Sequence, residues 1–277
     1  MGNGIDTLPP LRDVIAAHGL RAEKSLGQNF LLDLNLTRKI ARFAAPLDRG
    51  TVIEIGPGPG GLTRALALEG AKHIIAIEKD FRTLPALTEI QAAFSGKLEI
   101  LQQDALKIAA TELGSAPRRI VANLPYNIAT PLLIEWLRAI ATQPDSIAQM
   151  VLMFQKEVGE RILAKPNTKA YGRLAVLCQW LCECEGVMTL PPSAFTPAPK
   201  VESMVVRFTP RPQKLFAAEF SEVEQLTQAA FGQRRKMLRA ALKTRFGDQA
   251  EARLITAGID PTRRAENLSV AEFGRLI

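Results

Sequence analysis

The tetrapeptide Asn123-Leu124-Pro125-Tyr126 directly follows an apolar strand candidate, and its residue types suit one kind of chemistry. An exocyclic amine on a nucleobase is a poor nucleophile, because its lone pair is conjugated with the ring. Two acceptors that hold its two N–H bonds help to localise that lone pair. Asn123 offers a side-chain carbonyl and Leu124 a backbone carbonyl. Pro125 fixes the chain and donates no N–H, and Tyr126 presents a flat face on which a base can stack. Taken singly, the same four residues also read as an ordinary proline turn with a packed tyrosine.

Upstream lies Glu54-Ile55-Gly56-Pro57-Gly58-Pro59-Gly60-Gly61, between a strand candidate and a helix candidate. Glycines there permit close backbone approach to a ligand. Gly56, Gly58 and Gly61 satisfy a dinucleotide fingerprint, while Gly56, Gly58 and Gly60 satisfy the shorter G-x-G-x-G. Glu78 ends the second strand candidate, where a carboxylate can accept both hydroxyls of a ribose. Asp104 ends the third, where an acid can accept from the exocyclic amine of adenine or simply cap the turn that follows. Glu54 separates the two cofactor readings. A nearby carboxylate repels the pyrophosphate of a dinucleotide, whereas S-adenosylmethionine carries no phosphate and has an ammonium and a sulfonium. The loop leans toward S-adenosylmethionine.

The elements that must position these residues follow from apolar patterning. Short strands at Thr51–Ile55, His73–Ile77, Lys97–Leu101, Arg119–Ala122 and Ile147–Phe154 alternate with helices, one from about Gly61 and one over Asp80–Phe94. Ile128, Leu132, Leu133, Trp136, Leu137 and Ile140 recur at the 3.6-residue spacing of a buried helical stripe. Strand-then-helix repetition predicts an α/β fold, a doubly wound (Rossmann-like) parallel sheet. Helices near 155–165 and 171–180 precede strands near 183–189 and 201–208, which no helix separates, so an antiparallel pair at one end of the sheet is expected. Short helices over 11–45 flank the loop Lys24–Phe30.

With 277 residues, 47 % apolar and 23 % charged, the chain is neither disordered nor collagenous nor a coiled coil. The net charge of +7 is uneven: residues 207–277 carry 13 basic and 8 acidic side chains, so the excess sits in the last quarter and favours a polyanionic partner. Continued as one helix, that region would put Lys236, Arg239 and Lys243 on one face toward phosphates, with Leu238 and Leu242 opposite. Three cysteines, Cys178, Cys182 and Cys184, read as packed thiols rather than a disulfide framework, and no metal site is expected. No window reaches a membrane span and no signal-peptide pattern opens the chain, so a cytoplasmic protein is expected.

Glycine loop, Glu78, Asp104 and Asn-Leu-Pro-Tyr together resemble the ribosomal RNA adenine dimethyltransferase family. Leu26-Gly27-Gln28-Asn29-Phe30-Leu31 is similar to its N-terminal motif, which implies that Gln28, Asn29 and Leu31 line the methionine end of the cofactor. Pro192–Val201 is similar to its late motif, which implies that Phe195 faces the target base. Phe231-Gly232-Gln233-Arg234-Arg235-Lys236 is similar to the signature of its C-terminal helical domain, which adds Arg234 and Arg235 to the RNA contacts. The chain departs from the family pattern at Ala240-Ala241, where Asn-Ser would be expected. The resemblance implies methyl transfer from S-adenosyl-L-methionine to adenine N6, giving dimethyladenine at two adjacent adenines in the 3'-terminal hairpin of small-subunit ribosomal RNA. A role in small-subunit biogenesis is implied with it.

The organisation expected is a methyltransferase domain over 1–208 with a loose tail over 1–10, a linker over 209–213, and a helical RNA-binding domain over 214–277, as a monomer. The alternatives are a non-catalytic RNA-binding assembly factor on the same fold, a methylase acting on another nucleic acid or on a protein amide, and a nicotinamide-dependent dehydrogenase.

Overall fold

A computed structural model describes residues 4–23 and 27–277; Lys24, Ser25 and Leu26, and the first three residues of the expected tail, lie outside it. The strands are β1 (Phe30–Leu31), β2 (Thr51–Ile55), β3 (Ile74–Glu78), β4 (Leu98–Gln102), β5 (Arg118–Asn123), β6 (Gln149–Gln155), β7 (Cys182–Leu190), β8 (Phe195–Thr196) and β9 (Ser203–Pro210). The helices of the sheet-bearing part are α1 (Leu11–Ala17), α2 (Leu34–Arg42), α3 (Gly61–Leu68), α4 (Leu84–Ala93), α5 (Tyr126–Thr142), α6 (Lys156–Leu163) and α7 (Arg173–Leu181). The helical C-terminal part holds α8 (Phe220–Gly232), α9 (Leu238–Ala241), α10 (Lys243–Phe246), α11 (Ala250–Thr256) and α12 (Val270–Gly274).

Seven strands form one sheet in the order β4-β3-β2-β5-β6-β9-β7. The first five are parallel, and β9 and β7 run antiparallel, as their missing crossover helix implied. Strands buried on both faces need continuous apolar runs. Val52-Ile53 and Ile120-Val121 meet that need with zero exposure, Ile53 and Ile120 packing toward α5 and Val52 and Val121 toward α2 and α3. The chain builds outward from β2 to β4, then returns to the other side of β2 with β5. Strand order therefore reverses between β2 and β5, and a crevice opens beyond their carboxyl ends.

Four local expectations are corrected. The segment Asp80–Phe94 is not one helix: the Asp80 carboxylate accepts from the Arg82 N–H and starts a 3-10 turn over Phe81–Thr83, and α4 follows with Pro85 in its first turn. Residues 4–10 are not a loose tail, since Ile5 is buried and the Arg64 guanidinium of α3 donates to the Pro9 and Leu8 carbonyls at 2.7 and 2.9 Å. The linker over 209–213 is not free. Thr209 and Pro210 extend β9 opposite Glu183 and Cys182, Arg211 N–H donates to the Leu181 carbonyl, and Lys214 Nζ reaches the Ala141 carbonyl at 2.9 Å. Phe216 then stacks on Trp180 at 5.2 Å, so the core runs from the sheet into α8 and α12 without a break.

The fourth correction concerns the basic helix. The chain leaves helical geometry at Gln233 and resumes only at Leu238, and α9 and α10 are single turns. The N–H groups of Leu238 and Arg239 donate to the carbonyls of Arg263 and Pro261 instead of to a preceding helical turn. Leu238 and Leu242 are fully buried as expected, but Lys236, Arg239 and Lys243 do not share one helix. The three thiols are free and packed, with burial pushing Cys184 up to about 12.

Candidate active site

The crevice at the strand-order reversal is a cavity whose walls come from five chain segments. The glycine loop after β2 forms its floor. Gly58, at φ +54°, turns its N–H onto Glu78 Oε2 at 2.9 Å, and a Cβ there would stand 3.2 Å from the Phe30 ring. Gly61 opens α3 so close to β1 that a Cβ would lie 2.8 Å from the Leu31 carbonyl oxygen. Gly56 and Gly60 also take positive φ, and Gly56 lines the cavity.

Three carboxylates line this cavity: Glu54, Glu78 and Asp104. Glu78 is 5 % exposed and accepts the Gly58 N–H on one oxygen and the Asp80 N–H, at 2.8 Å, on the other. Each oxygen keeps a second lone pair for a ligand hydroxyl. Burial pushes its pKa up against those two bonds. Asp104 takes the capping role weighed from sequence, and it also lines the cavity. Its Oδ1 caps the turn Ala105–Lys107 through the Leu106 N–H, and its Oδ2 takes the Lys79 ammonium at 3.0 Å, which holds its carboxyl below the usual range.

Glu54 is 1 % exposed and its Oε2 has no hydrogen-bond partner, while the nearby Thr63 hydroxyl and N–H act to hold its pKa down. Burial, with the Glu78 charge adding, pushes Glu54 up to about 8. A buried, unsatisfied acid on the wall of an acidic cavity suits a ligand bearing positive charge and disfavours a pyrophosphate. The lining fits S-adenosyl-L-methionine, for which Glu78 would hold the ribose diol, Asp104 the adenine amine and Glu54 would lie toward the cationic amino-acid end.

The N-terminal wall is Gly27 to Leu31. Gln28 lines the cavity, and two bonds anchor its side chain while leaving its amide one further N–H and one lone pair. It donates to Asp80 Oδ2 and accepts the Glu23 N–H, both at 2.9 Å, while Arg82 grips Asp80 from the other side. Asp80 thus ties the wall to the end of β3. Sequence reasoning missed it, although an acid two residues beyond a strand-end glutamate and two before an arginine was visible. Leu31 is buried and pairs with Phe195 across the β1–β8 ladder.

On the opposite wall, Asn123 ends β5 and its Nδ2 donates to the Asn29 carbonyl at 3.0 Å. An amide oxygen cannot face a carbonyl oxygen, so this bond sets the flip and leaves Asn123 Oδ1 as the available acceptor. Leu124 is buried, and Pro125 caps α5 with its carbonyl accepting from Ile128 and Ala129. Tyr126 is half-buried, with its hydroxyl 2.8 Å from Ser203 Oγ at the start of β9. Ser203, fully buried, is a second residue that sequence reasoning passed over.

Phe195 is not on the cavity wall. It is 4 % exposed and packs in the core beneath β1, because strand alternation sends Phe195 inward and Thr196 out. The C-terminal cations lie away from the lining as well. Arg234 is bound to Glu266 and to the Lys169 carbonyl, Arg239 lies 3.5 Å from Glu251 and Lys243 lies 3.9 Å from Asp248, whereas Arg235 and Lys236 are exposed.

Comparison with known proteins gives the family and the fold. The model of the family "Ribosomal RNA adenine dimethylase" matches residues 19–277. Ribosomal RNA small subunit methyltransferase A of Rhodospirillum rubrum is 58 % identical over 98 % of this chain and 92 % of its own length. Among solved structures, a dimethyladenosine transferase from Plasmodium falciparum superposes with a TM-score of 0.74 at 26 % identity, covering 88 % of this chain and 94 % of that one. The 23S rRNA methyltransferase ErmE superposes at 0.67 and 26 % identity, covering 90 % and 98 %. The chain belongs to the ribosomal RNA adenine dimethylase family and is an S-adenosylmethionine-dependent methyltransferase.

Proposed function

We propose that this chain dimethylates N6 of two adjacent adenines in the 3'-terminal hairpin of small-subunit ribosomal RNA, acting as a monomer in the cytoplasm on a small-subunit particle or its precursor and contributing to its biogenesis. The fold alone does not choose the subunit, since a 23S rRNA methyltransferase shares it; the 58 % identity to a small subunit methyltransferase supports the small one. Among the described residues no helix is long and apolar enough to cross a membrane.

The observation that carries the chemical reading is the Asn123 amide, turned by the Asn29 carbonyl so that its oxygen is free to accept. That oxygen and the Leu124 carbonyl would hold the two N–H bonds of an adenine amine, and Tyr126, anchored by Ser203, would stack on the base. The cofactor supplies a methyl group on a sulfonium, already a good leaving group. The chain's task is then placement and orientation rather than proton abstraction, because the amine proton becomes acidic once the nitrogen carries positive charge. A monomethylated amine still has one N–H for Asn123 and a lone pair to give, so a second transfer can follow. Phe195 would act as support beneath the β1 wall, and Arg234 as a structural tie.

Asn123→Ala should fold, keep measurable cofactor affinity and lose at least about 100-fold in single-turnover methyl transfer, the scale of losing one aligned polar contact. Near wild-type transfer, or methyl groups on a ring carbon or ribose, would sink the proposal.

A further inference from the structure

Neither Asp80 nor Arg82 lines the cavity, but both are fastened to residues that do. Asp80 is buried, and each of its oxygens accepts two bonds. Oδ1 takes the Arg82 N–H at 3.1 Å and Arg82 Nε at 2.8 Å, and Oδ2 takes Arg82 Nη2 at 2.5 Å and Gln28 Nε2 at 2.9 Å. A carboxylate oxygen offers two lone pairs, so Asp80 keeps nothing for a ligand. It is a fixed post, and the Arg82 guanidinium holds its carboxyl below the usual range.

The remaining nitrogen of that guanidinium reaches back along the chain. Arg82 Nη1 donates to Glu23 Oε1 at 3.1 Å. Glu23 and Gln28 are closed onto each other: the Glu23 N–H donates to Gln28 Oε1 at 2.9 Å, and the Gln28 N–H to the Glu23 carbonyl at 3.3 Å. Both ends of the Gln28 amide thus lead to one arginine, the nitrogen through Asp80 and the oxygen through Glu23. Beyond the two residues of β1 this wall has no regular secondary structure, so side-chain bonds decide where Gln28 stands.

We propose that Arg82 is a positioning residue for the cofactor: it fixes Gln28 against the cavity and thereby slows the release of S-adenosyl-L-methionine, without touching it. The inference rests on the cavity being the cofactor site. Without the guanidinium, Asp80 loses two bonds and its counter-charge. A buried carboxylate left in that state relieves the cost by turning toward water or taking up a proton. Either way Gln28 loses the acceptor that holds its nitrogen, and its spare N–H and lone pair are no longer preorganised for a ligand. The chemical step should be spared. Asn123 is set by the Asn29 carbonyl and β1 is paired to β8, and Arg82 bonds to none of them.

The test is a double-mutant cycle in the full chain, with Arg82→Met, Gln28→Ala and the two together. It is read by equilibrium binding of labelled S-adenosyl-L-methionine and by its dissociation rate in an unlabelled chase. Arg82→Met should weaken binding about tenfold, a coupling of ordinary size within one ion-pair network, and the loss should lie in the dissociation rate. In the Gln28→Ala background the same change should cost less than about twofold, because the route through Gln28 is already gone. Single-turnover transfer at saturating cofactor should stay within about twofold of wild type, the mark of an effect on affinity alone. Arg161→Met, which breaks an exposed ion pair with Glu157 on α6, removes the same charge and should leave cofactor binding unchanged. Arg82→Lys keeps the charge but not the fork. It should weaken binding about threefold, and it replaces Arg82→Met if that variant does not fold. Wild-type affinity in the folded Arg82 variant would overturn the proposal. An equal loss in both backgrounds would assign the effect to charge beside Glu78 and overturn it too, as would a slower transfer step with affinity intact. Unchanged affinity in Glu78→Ala would defeat the cavity reading itself.

Discussion

Glu54→Gln should make the protein more stable at alkaline pH, the reverse of the usual cost of altering a site carboxylate. The unfolded Glu54 carboxyl titrates near 4.5 and the folded one at about 8, because burial disfavours its charge. Between those values the native state binds more protons than the unfolded state, so stability falls as pH rises through the window. At full titration the shift corresponds to about 5 kcal/mol. A chain of this size moves its Tm by about 2–3 °C per kcal/mol. Thermal melts of both proteins from pH 5 to pH 9 should therefore nearly coincide at pH 5, where the acid is neutral and close in shape to the amide. By pH 9 the variant should lead by about 10 °C. Saturating cofactor should narrow that gap, because a cation near the unpartnered Oε2 favours the ionised acid; by the same linkage, cofactor affinity of the wild type should rise from pH 6 to pH 8. A Tm gap that stays constant with pH would refute the reasoning, since Glu54 would then keep an ordinary pKa.

Glu78→Ala should weaken cofactor affinity by about 1–3 kcal/mol, the scale of charge-assisted hydrogen bonds, and calorimetric titration showing unchanged affinity in a folded variant would remove Glu78 from the site. Tyr126→Phe and Ser203→Ala should each lower the rate of transfer while leaving cofactor affinity intact. The double variant should be less impaired than the product of the two, because neither then leaves a buried hydroxyl unpaired; strictly additive losses would mean that the 2.8 Å contact has no part in placing the ring.

The cavity was legible from sequence because its parts sit at strand ends, where apolar runs stop and chemistry begins. Glu78 and Asn123 close their strands, Asp104 follows β4 by two residues, and the glycine loop joins β2 to α3. What sequence could not show was set by partners far along the chain. The anchoring of the Gln28 amide by Asp80 and the Glu23 N–H depends on residues that sequence spacing does not bring to its side. Phe195 belongs to a two-residue strand too short to reveal an alternation, so the side its ring takes is decided by pairing with Leu31. The basic helix failed for a related reason: Arg263 and Pro261 offer carbonyls that compete with the helical ladder at Leu238 and Arg239. Apolar spacing correctly placed Leu238 and Leu242 inside, because burial depends on the side chains and not on which carbonyl each N–H finds.

The β1–β8 ladder has a consequence for synthesis. Phe30 and Leu31 leave the ribosome early, but their strand partners Thr196 and Phe195 emerge only after six strands of the sheet have been made. Ser203, which anchors the Tyr126 hydroxyl, comes later still, as the first residue of β9. Until then the N-terminal wall lacks the strand that pairs with it and the Tyr126 hydroxyl lacks its partner. A growing chain thus carries Glu54, Glu78 and Asp104 well before the cavity they line is closed. If Asn123 and Tyr126 act as proposed, methyl transfer by a growing chain would wait until β8 and β9 have been made and paired.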